Sequence, residues 1–336
     1  MFKKSLSLLA LTMAVGATVA HADSLAPFGV ASAYNLVALG TVDSHGATVI
    51  AGTIGTNADV TGRIAAADKV LFGTTIGSSL NNDPYGSLAT YGLVSTNGLV
   101  AGQSFNMNGG GNAFAPGSNG NINFNDGGHR VTSGSSGIDF NALRTALDLE
   151  TMLLSGQTAN GVVLGTNQPG HNPSWLVLKG TSTTLNVFNL TAAQFADTNH
   201  NIDIEAPVGS TIIVNVDGVN VTLGAGLYYN GNQTSGDSAA NSNILFNFST
   251  AQSVTINAQF NASILAPFAI LTGGSQMGGT FIAAQIGQTG EVHNVEFTGT
   301  LPRDPGSPVP EPGTLMLMGT GMMSLAAAVR RKMSTK

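Results

Sequence analysis

The chain has 336 residues, of which only 9% are charged, and it contains no cysteine. Its 12 basic and 18 acidic side chains give a net charge of −6. The lack of cysteine excludes a disulfide framework, thiol catalysis and thiolate metal sites. Phosphate binding needs clustered Lys and Arg, so this composition predicts that nucleic acid is not a partner.

The N-terminal segment has the composition of an export signal. Two lysines precede an apolar stretch over residues 6–19, and Ala20 and Ala22 are the small residues of a small-x-small cleavage site. We therefore expect residues 1–22 to be a signal peptide that signal peptidase removes after Ala22.

Residues 23–299 have the pattern of a single β-rich domain. The chain contains 44 glycines without a Gly-X-Y period, and Asn-Gly and Asp-Gly turns separate short β-branched runs. In the segment 253–257, apolar and polar residues alternate with period 2, as in a strand with one buried face. A sandwich, a barrel and a solenoid all satisfy this pattern.

A weak internal repeat favours a solenoid but leaves a sandwich open. An aliphatic residue followed by Ala and a small residue or Pro recurs, and the repeats begin at Ile50, Ile64, Val100, Leu265 and Ile282. Two of the intervals, from Ile50 to Ile64 and from Leu265 to Ile282, are short. Such intervals suit successive coils of a β-solenoid.

One segment, residues 139–155, predicts an α-helix packed on the β structure. It lacks glycine, Asp139 or Ser136 is available as N-cap, and Arg144 and Asp148 are expected on its solvent face. Its apolar residues recur near the helical period, at Phe140, Leu143, Leu147 and Leu154.

Catalytic motifs are absent from the sequence. There is no nucleophile elbow, phosphate-binding loop or dinucleotide fingerprint, and no pair of histidines has zinc-binding spacing. We therefore predict no enzymatic activity, no catalytic residue and no cofactor. Loop or surface positions are expected for the histidines after the signal peptide, His45, His129, His171, His200 and His293.

A segment of alternating oxygen-bearing side chains is the best metal candidate. Such residues suit Ca²⁺, but in an extended strand they would share one face while Ile202 and Ile204 point inward. The pattern favours a solvated strand face over a calcium site, and a glycosidase pair of two carboxylates is a further alternative. The residues are Asp197, Asn199, Asn201, Asp203 and Glu205.

Threonines do not predict an ice-binding face. Thr181 and Thr183 are not repeated at coil spacing, and Thr211, Thr222, Thr255 and Thr272 are scattered, so β-propensity explains them better. The single Trp175 is predicted to lie in the core rather than to stack on a sugar.

The C-terminal end has the order of a sorting tail. A turn sequence precedes an uncharged apolar run over residues 314–329, and a basic cluster follows it. We expect residues 300–312 to be a linker and 313–336 a hydrophobic sorting helix that inserts transiently in the inner membrane, with its basic end in the cytoplasm. The residues of the turn and the cluster are Val309, Pro310, Glu311, Pro312, Arg330, Arg331 and Lys332.

This tail resembles that of the PEP-CTERM proteins of Gram-negative bacteria, which exosortases process. The resemblance implies an exosortase as partner and a destination at the cell surface or in the extracellular matrix; a permanent anchor is the alternative. Between the two processed ends, residues 23–312 hold six basic and all 18 acidic side chains, a net charge of −12.

The body also resembles known families. The segments 59–66, 262–267 and 279–284 and the single helix are similar to the choice-of-anchor A domain, which is extracellular and adhesive. The stretch 263–267 and the later Ile-Ala-Ala are similar to ice-binding β-solenoids with one long helix. This second resemblance implies a right-handed β-solenoid (β-helix).

These observations predict an exported, non-enzymatic surface or matrix protein with a role in adhesion or biofilm. Exopolysaccharide or surface glycans are the expected partners. The alternatives are an ice- or carbohydrate-binding module, which needs a flat threonine or aromatic ladder on one face, and a polysaccharide-modifying enzyme, which needs converging carboxylates in a pocket.

Overall fold

A computed structural model describes residues 26–302, except 73–74, 83, 118, 196–200, 225 and 237. The predicted signal peptide, the Pro-Glu-Pro motif and the sorting tail therefore lie outside the described residues. Within the described residues, no helix is both long enough and apolar enough to cross a bilayer.

Short strands dominate the chain, and one α-helix, α1 (Phe140–Ser155), interrupts them. The strands of the N-terminal part are β1 (Leu36–Ala38), β2 (Thr41–Val42), β3 (Thr48–Ile50), β4 (Ile54–Gly55), β5 (Ile64–Ala66), β6 (Val70–Phe72), β7 (Thr75–Ile76), β8 (Leu93–Ser95), β9 (Ser104–Met107), β10 (Ala113–Phe114), β11 (Asn121–Phe124) and β12 (Arg130–Val131). After the helix come β13 (Val162–Gly165), β14 (Leu176–Lys179), β15 (Leu185–Thr191), β16 (Ile202–Glu205), β17 (Thr211–Asp217), β18 (Asn220–Leu223), β19 (Leu227–Tyr229), β20 (Asn232–Gln233), β21 (Ile244–Asn247), β22 (Ser253–Ile256), β23 (Ser263–Gly278) and β24 (Phe281–His293). Single 3-10 turns span Gly29–Ala33, Leu80–Asn82, Gly86–Leu88, Ala192–Gln194 and Ala239–Asn241.

A long parallel sheet, here called the main sheet, organises these strands. Its order is β12-β10-β8-β5-β1-β24-β23-β21-β17-β15, and every neighbouring pair along this path is parallel. Strand β24 lies between β1 and β23 and so joins the N-terminal strands to the C-terminal ones. Leu36 pairs with Phe281 at this junction.

Further sheets extend the same stacking. The later parts of β23 and β24 leave the main sheet after register shifts, and they pair with β22 and with β4, which continue to β18 and β6. A separate sheet has the order β13-β14-β16-β19-β20, a three-stranded sheet has the order β11-β9-β7, and β2 and β3 form a hairpin. The predicted mainly β fold with one packed helix is confirmed.

The repeat predicted from the sequence is half right. Leu265 pairs with Ile282 in parallel register, so the interval between these two does place equivalent residues on neighbouring strands. The interval from Ile50 to Ile64 does not, because Ile50 pairs antiparallel with Thr41 in the β2–β3 hairpin, whereas Ile64 pairs with Leu36 of the main sheet.

The central strands of the main sheet, such as β1, β5, β8 and β21, are buried on both faces, as is usual where parallel sheets are covered on each side. Ile264 and Phe281 point into an inner core shared with the other sheets. Leu265 and Ile282 point to the opposite side, into a second cluster beneath α1. The helix therefore covers a face that would otherwise be exposed and apolar.

Helix α1 follows its prediction closely. Asp139 caps it by accepting hydrogen bonds from the backbone N–H groups of Asn141 and Ala142. Phe140, Leu143 and Leu147 are buried against the main sheet, as predicted.

The predicted solvent-facing position of Arg144 is wrong. Its guanidinium donates to the backbone carbonyls of Leu39 and Gly40, at the end of β1, and to the side chain of Asn141. Arg144 therefore fastens the first half of the helix to the sheet, because buried strand ends leave carbonyls that need donors.

An asparagine row fixes the other end of the helix. Asn189, Asn215 and Asn247 occupy matching positions on β15, β17 and β21, and their amides hydrogen-bond from strand to strand. Asn247 also bonds Thr151, and Asn215 donates to the carbonyl of Leu154. These bonds satisfy buried polar groups where an apolar contact would leave them without partners.

Candidate functional site

An uncharged surface is formed by β18, β22 and the middle of β23 and β24. We call it the threonine face. Pairing is in register, so that its side chains form two rows, and adjacent strands in such a sheet lie about 4.8 Å apart. One row holds Asn220, Ser253, Ile270 and Gln285, and the other holds Thr222, Thr255 and Thr272.

The local sequence explains why these side chains point outward. Val221 and Leu223 alternate with Asn220 and Thr222 and are buried in the inner core. The same alternation over Ser253–Ile256 buries Val254 and Ile256. Successive side chains of a strand lie on opposite faces, so burial of one set leaves the polar set outside.

The prediction that the threonines are scattered is wrong for three of them. Thr222, Thr255 and Thr272 lie side by side on neighbouring strands. The interval from Thr255 to Thr272 equals that from Leu265 to Ile282, so the sequence did contain a signal for this row.

The remaining threonines stay apart from the threonine face. Thr181 and Thr183 are exposed in the segment before β15. Thr211 is buried on β17, where its hydroxyl accepts a hydrogen bond from the N–H of Thr300. β-Propensity accounts for Thr211, which lies in a strand, but not for Thr181 and Thr183, which precede β15 and lie outside the described strands.

Neither row of the threonine face contains a charged residue, although the domain is strongly acidic. The Ser253 hydroxyl donates to the Asn220 side chain across the strands at 2.7 Å, and Ile270 is 36% exposed. The surface thus offers hydroxyl, amide and aliphatic groups in a regular array, which suits contact with a neutral, ordered partner rather than with an ion.

Two surface depressions, of about 380 and 450 Å³, lie elsewhere. Of the residues that the structure describes, Asp68 is the carboxylate lining the first, and Asp126 is the one lining the second. Among the described residues, neither depression is lined by the pair of carboxylates that glycoside hydrolysis requires.

The oxygen-rich segment is only partly a solvated face. Ile202 and Ile204 are buried, as predicted. Asp203, however, is fully buried on the opposite side of β16, so its predicted exposure is wrong. Asn201 accepts a hydrogen bond from the N–H of Gly226, and Asp197 and Asn199 lie outside the described residues.

His171 explains the burial of Asp203. It lies in the segment between β13 and β14, and its Nδ1 is 3.3 Å from Oδ2 of Asp203. Its Nε2 is 3.2 Å from Oε1 of Glu205, and Nζ of Lys179 is 3.2 Å from the other oxygen of Glu205. The loop prediction is right for His171, but its contact with two carboxylates had no signal in the sequence, since the whole of β14 and β15 lies between it and Asp203.

The other histidines differ in environment. His45 and His129 are exposed, as predicted. His293 belongs to β24, is buried and lies 2.9 Å from the amide nitrogen of Gln276 through its Nε2, so a loop or surface position is wrong for it. His200 lies outside the described residues.

Asp203 and Glu205 do not have the surroundings of a glycosidase pair. The Asp203 side chain is 1% exposed, and His171 lies over it. A sugar ring therefore has no access to this carboxylate, whereas a glycosidase carboxylate must flank the scissile bond.

Trp175 is half-buried rather than part of the core. Its ring lies against that of Tyr228, with 4.2 Å between ring centroids and a 37° angle between the planes. The predicted core position is wrong because Trp175 lies immediately before β14 and is not part of the strand.

A further ionisable group, Glu296, is buried near Arg63. It is 2% exposed, and this burial raises the pKa of its carboxyl from the usual 4.5 to about 7, although the positive charge of Arg63 acts in the opposite direction. Its Oε1 atom accepts no hydrogen bond. The group therefore affects the pH dependence of folding rather than a surface activity.

The family described as "Putative Ice-binding-like adhesive domain" matches residues 27–294, and the PEP-CTERM protein-sorting motif matches residues 308–332. No curated protein matches the sequence significantly.

Two solved structures show a distant similarity. An ice binding protein from an Antarctic Biological Consortium is 12% identical, with 81% of this chain and 90% of that chain covered and a TM-score of 0.33. An ice-binding protein from the Antarctic ascomycete Antarctomyces psychrotrophicus is 10% identical, with 82% and 98% covered and a TM-score of 0.25. TM-scores this low do not establish a shared fold. The match to the adhesive-domain family, however, covers most of the sequence, and the chain therefore belongs to this ice-binding-like adhesive family and is an exported cell-surface protein with a PEP-CTERM sorting motif.

Proposed function

We propose that this protein is a non-enzymatic adhesin of the cell surface or extracellular matrix of a Gram-negative bacterium. In this proposal residues 1–22 are a signal peptide, 23–299 the adhesive domain, 300–312 a linker and 313–336 the sorting tail. The family match over residues 27–294 supports the adhesive role. The parallel stacking of the main sheet supports a right-handed β-solenoid with α1 along one side.

The threonine face is the proposed adhesive surface, and its uncharged, in-register rows are the observation that carries this proposal. An adhesive surface has to match its partner over many weak contacts at once. A regular array of hydroxyls and amides can hydrogen-bond a neutral polysaccharide, whereas the −12 charge of the body repels anionic surfaces. The proposed partner is therefore a neutral exopolysaccharide or surface glycan.

Thr255 lies at the centre of the threonine row, between Thr222 and Thr272. Changing Thr255→Lys places a long, charged side chain in an uncharged array, and we expect binding to neutral exopolysaccharide to fall by tenfold or more. Thr183→Lys, an exposed position outside the face, is the matched control and should bind as the unchanged protein does. The measurement is a pull-down or surface plasmon resonance on purified polysaccharide. Equal binding by both variants would assign adhesion to another surface.

The second candidate function is that of an ice- or carbohydrate-binding module. The three aligned hydroxyls of the threonine row favour it. The half-buried ring pair of Trp175 and Tyr228 adds a stacking surface that suits a sugar. Measurements of thermal hysteresis and of adsorption to growing ice distinguish ice from a carbohydrate as the ligand. Activity in these assays that is lost in Thr255→Lys and kept in Thr183→Lys would favour ice as the ligand.

The C-terminal tail is proposed to hold the exported chain in the inner membrane until an exosortase processes it. The apolar run over residues 314–329 is slightly shorter than the roughly 20 residues that span a bilayer comfortably, but it is expected to stall there because moving Arg330, Arg331 and Lys332 across would cost several kcal/mol. Pro310 and Pro312 lack the N–H that a helix interior needs. The motif is therefore expected to stay extended and open to the enzyme.

Replacing Pro310, Glu311 and Pro312 together with alanine should leave export intact but trap most of the protein, at full length, in the inner membrane. Asp304→Ala with Pro305→Ala, an acidic residue and a proline of the same linker outside the motif, is the control and should be processed normally. Cell fractionation and mass spectrometry of the mature C-terminus give the readout. A mature protein that still ends at Lys336 in a strain with an exosortase would show that the tail is a permanent anchor.

A further inference from the structure

The cluster of His171, Asp203 and Glu205 has the chemistry of a metal site. One ligand atom from each residue lies within 4.8 Å of the other two. Two ligand atoms that share an ion at about 2.1 Å lie about 3.0–3.4 Å apart in tetrahedral or octahedral geometry. The Nδ1–Oδ2 distance of 3.3 Å and the Nε2–Oε1 distance of 3.2 Å each fall in this range. They involve different ring nitrogens, so a bound ion takes one nitrogen of His171 and draws the second carboxylate oxygen toward it from within 4.8 Å.

Asp203 supplies the second observation, which is independent of the clustering. Its side chain is 1% exposed, and Oδ1 accepts a hydrogen bond from the N–H of Gly231 at 3.1 Å. Oδ2 accepts no hydrogen bond and points toward the imidazole of His171. A buried carboxylate oxygen without a donor is costly unless a cation neutralises it.

The position of His171 adds to this requirement. Both of its ring nitrogens face a carboxylate oxygen, but a neutral imidazole has only one N–H to donate. A neutral His171 therefore points one lone pair at a carboxylate oxygen, which is unfavourable, whereas a protonated imidazole would donate to both carboxylates. A divalent cation bound to the unprotonated nitrogen of His171 and to one oxygen of each carboxylate replaces this repulsion with three coordinate bonds.

The ligand set indicates the class of cation. One imidazole and two carboxylates suit Zn²⁺ and other divalent first-row transition ions, whereas Ca²⁺ and Mg²⁺ prefer oxygen ligands alone. Lys179 bonds the outer oxygen of Glu205 and leaves Oε1 facing His171. His171 and Glu205 are 17% and 30% exposed, so an ion has a path from solvent.

We propose that His171, Asp203 and Glu205 form a binding site for a divalent transition cation of the zinc class. The ion ties the segment between β13 and β14 to strand β16. In a protein without cysteine, such a link takes the place of a disulfide in holding a surface loop to the sheet. The site is separate from the threonine face and does not depend on what that face binds.

The test is a Zn²⁺ titration, monitored by isothermal titration calorimetry. The sample is the untagged full chain, treated with a chelator and kept in a mild non-ionic detergent. We expect one Zn²⁺ per chain at this site, a higher unfolding temperature with Zn²⁺, and no such increase with equimolar Ca²⁺ or Mg²⁺. His171→Gln and Glu205→Gln should each weaken binding at least tenfold. Asp203→Asn keeps an oxygen that can accept the hydrogen bond from the N–H of Gly231, and it should weaken Zn²⁺ binding further.

His129→Gln is the matched control, because His129 is exposed and remote in sequence from the cluster. Its affinity for Zn²⁺ and its unfolding temperature should equal those of the unchanged protein. Circular dichroism verifies that each variant is folded, and Glu205→Gln, at a partly exposed position, keeps the test valid if a buried substitution unfolds the chain. Absence of saturable Zn²⁺ binding, or binding that His171→Gln and Glu205→Gln leave intact, would show that the cluster is only an ion-pair network. Tighter binding of Ca²⁺ than of Zn²⁺ would overturn the proposed class of ion.

Discussion

Leu147→Asp is expected to lower the free energy of unfolding by about 4 kcal/mol or more. Leu147 is 2% exposed and packs in the cluster between α1 and the main sheet. Removing a buried leucine side chain costs about 2–5 kcal/mol, and the substitution also places a carboxylate without a partner in an apolar site. Urea unfolding followed by circular dichroism measures the change.

Leu149→Asp on the same helix provides a matched control, since Leu149 is 65% exposed. The same chemical change there should cost less than about 1 kcal/mol, which reflects helix propensity alone. If the two variants lost similar stability, the helix would contribute little to the packing of the domain.

A second large effect is expected from Glu296 when the pH is varied. Its carboxyl has a pKa of about 7 in the folded protein and an ordinary value of 4.5, so the folded state holds the proton more tightly than the unfolded state does. The contribution of this group to stability is fully present below about pH 4.5 and is lost as the pH rises to 7 and above. The shift corresponds to a loss of about 3 kcal/mol.

Glu296→Gln should remove this contribution. The difference in unfolding free energy between the variant and the unchanged protein should therefore move by about 3 kcal/mol in favour of the variant from pH 4.5 to pH 8. A difference that stays constant with pH for Glu296→Gln would mean that the carboxyl is ionised throughout this range.

Local patterns predicted the elements well, because they depend on residues close in sequence. The helical period of Phe140, Leu143 and Leu147 identified both the helix and its buried face. The alternation at 253–257 identified which side of β22 faces the core. In each case a single element and its own side chains contain the whole signal.

Relations between distant elements were predicted less well. The threonine row depends on the register of β18, β22 and β23, which the lengths of the intervening loops determine. The interval shared with Leu265 and Ile282 recovers the pair of Thr255 and Thr272, but Thr222 lies much further from Thr255 in the sequence and does not share that interval. The cluster around Asp203 depends on a loop that folds back over β16, and no periodicity encodes such a contact.

Arg144 shows a further reason for failure. Its acceptors are the backbone carbonyls of Leu39 and Gly40, and every residue type carries such a carbonyl. A helix face with polar side chains can therefore pack against a sheet instead of facing solvent. The sequence shows the charge of Arg144 but not the open strand end that receives it.

The place of β24 in the main sheet has a consequence for how an exported chain matures. Translocation from the N-terminus delivers β1 and its neighbours first, and their open edge remains unpaired until β24 emerges, since Leu36 pairs with Phe281. Pairing strands this far apart in the sequence is slow, and an unpaired strand edge is prone to aggregation or proteolysis. Strand β24 ends at His293, shortly before the sorting motif begins. Assembly of the main sheet is thus completed only when nearly the whole domain has been delivered, and a prematurely terminated chain would expose its unpaired strand edge to proteases.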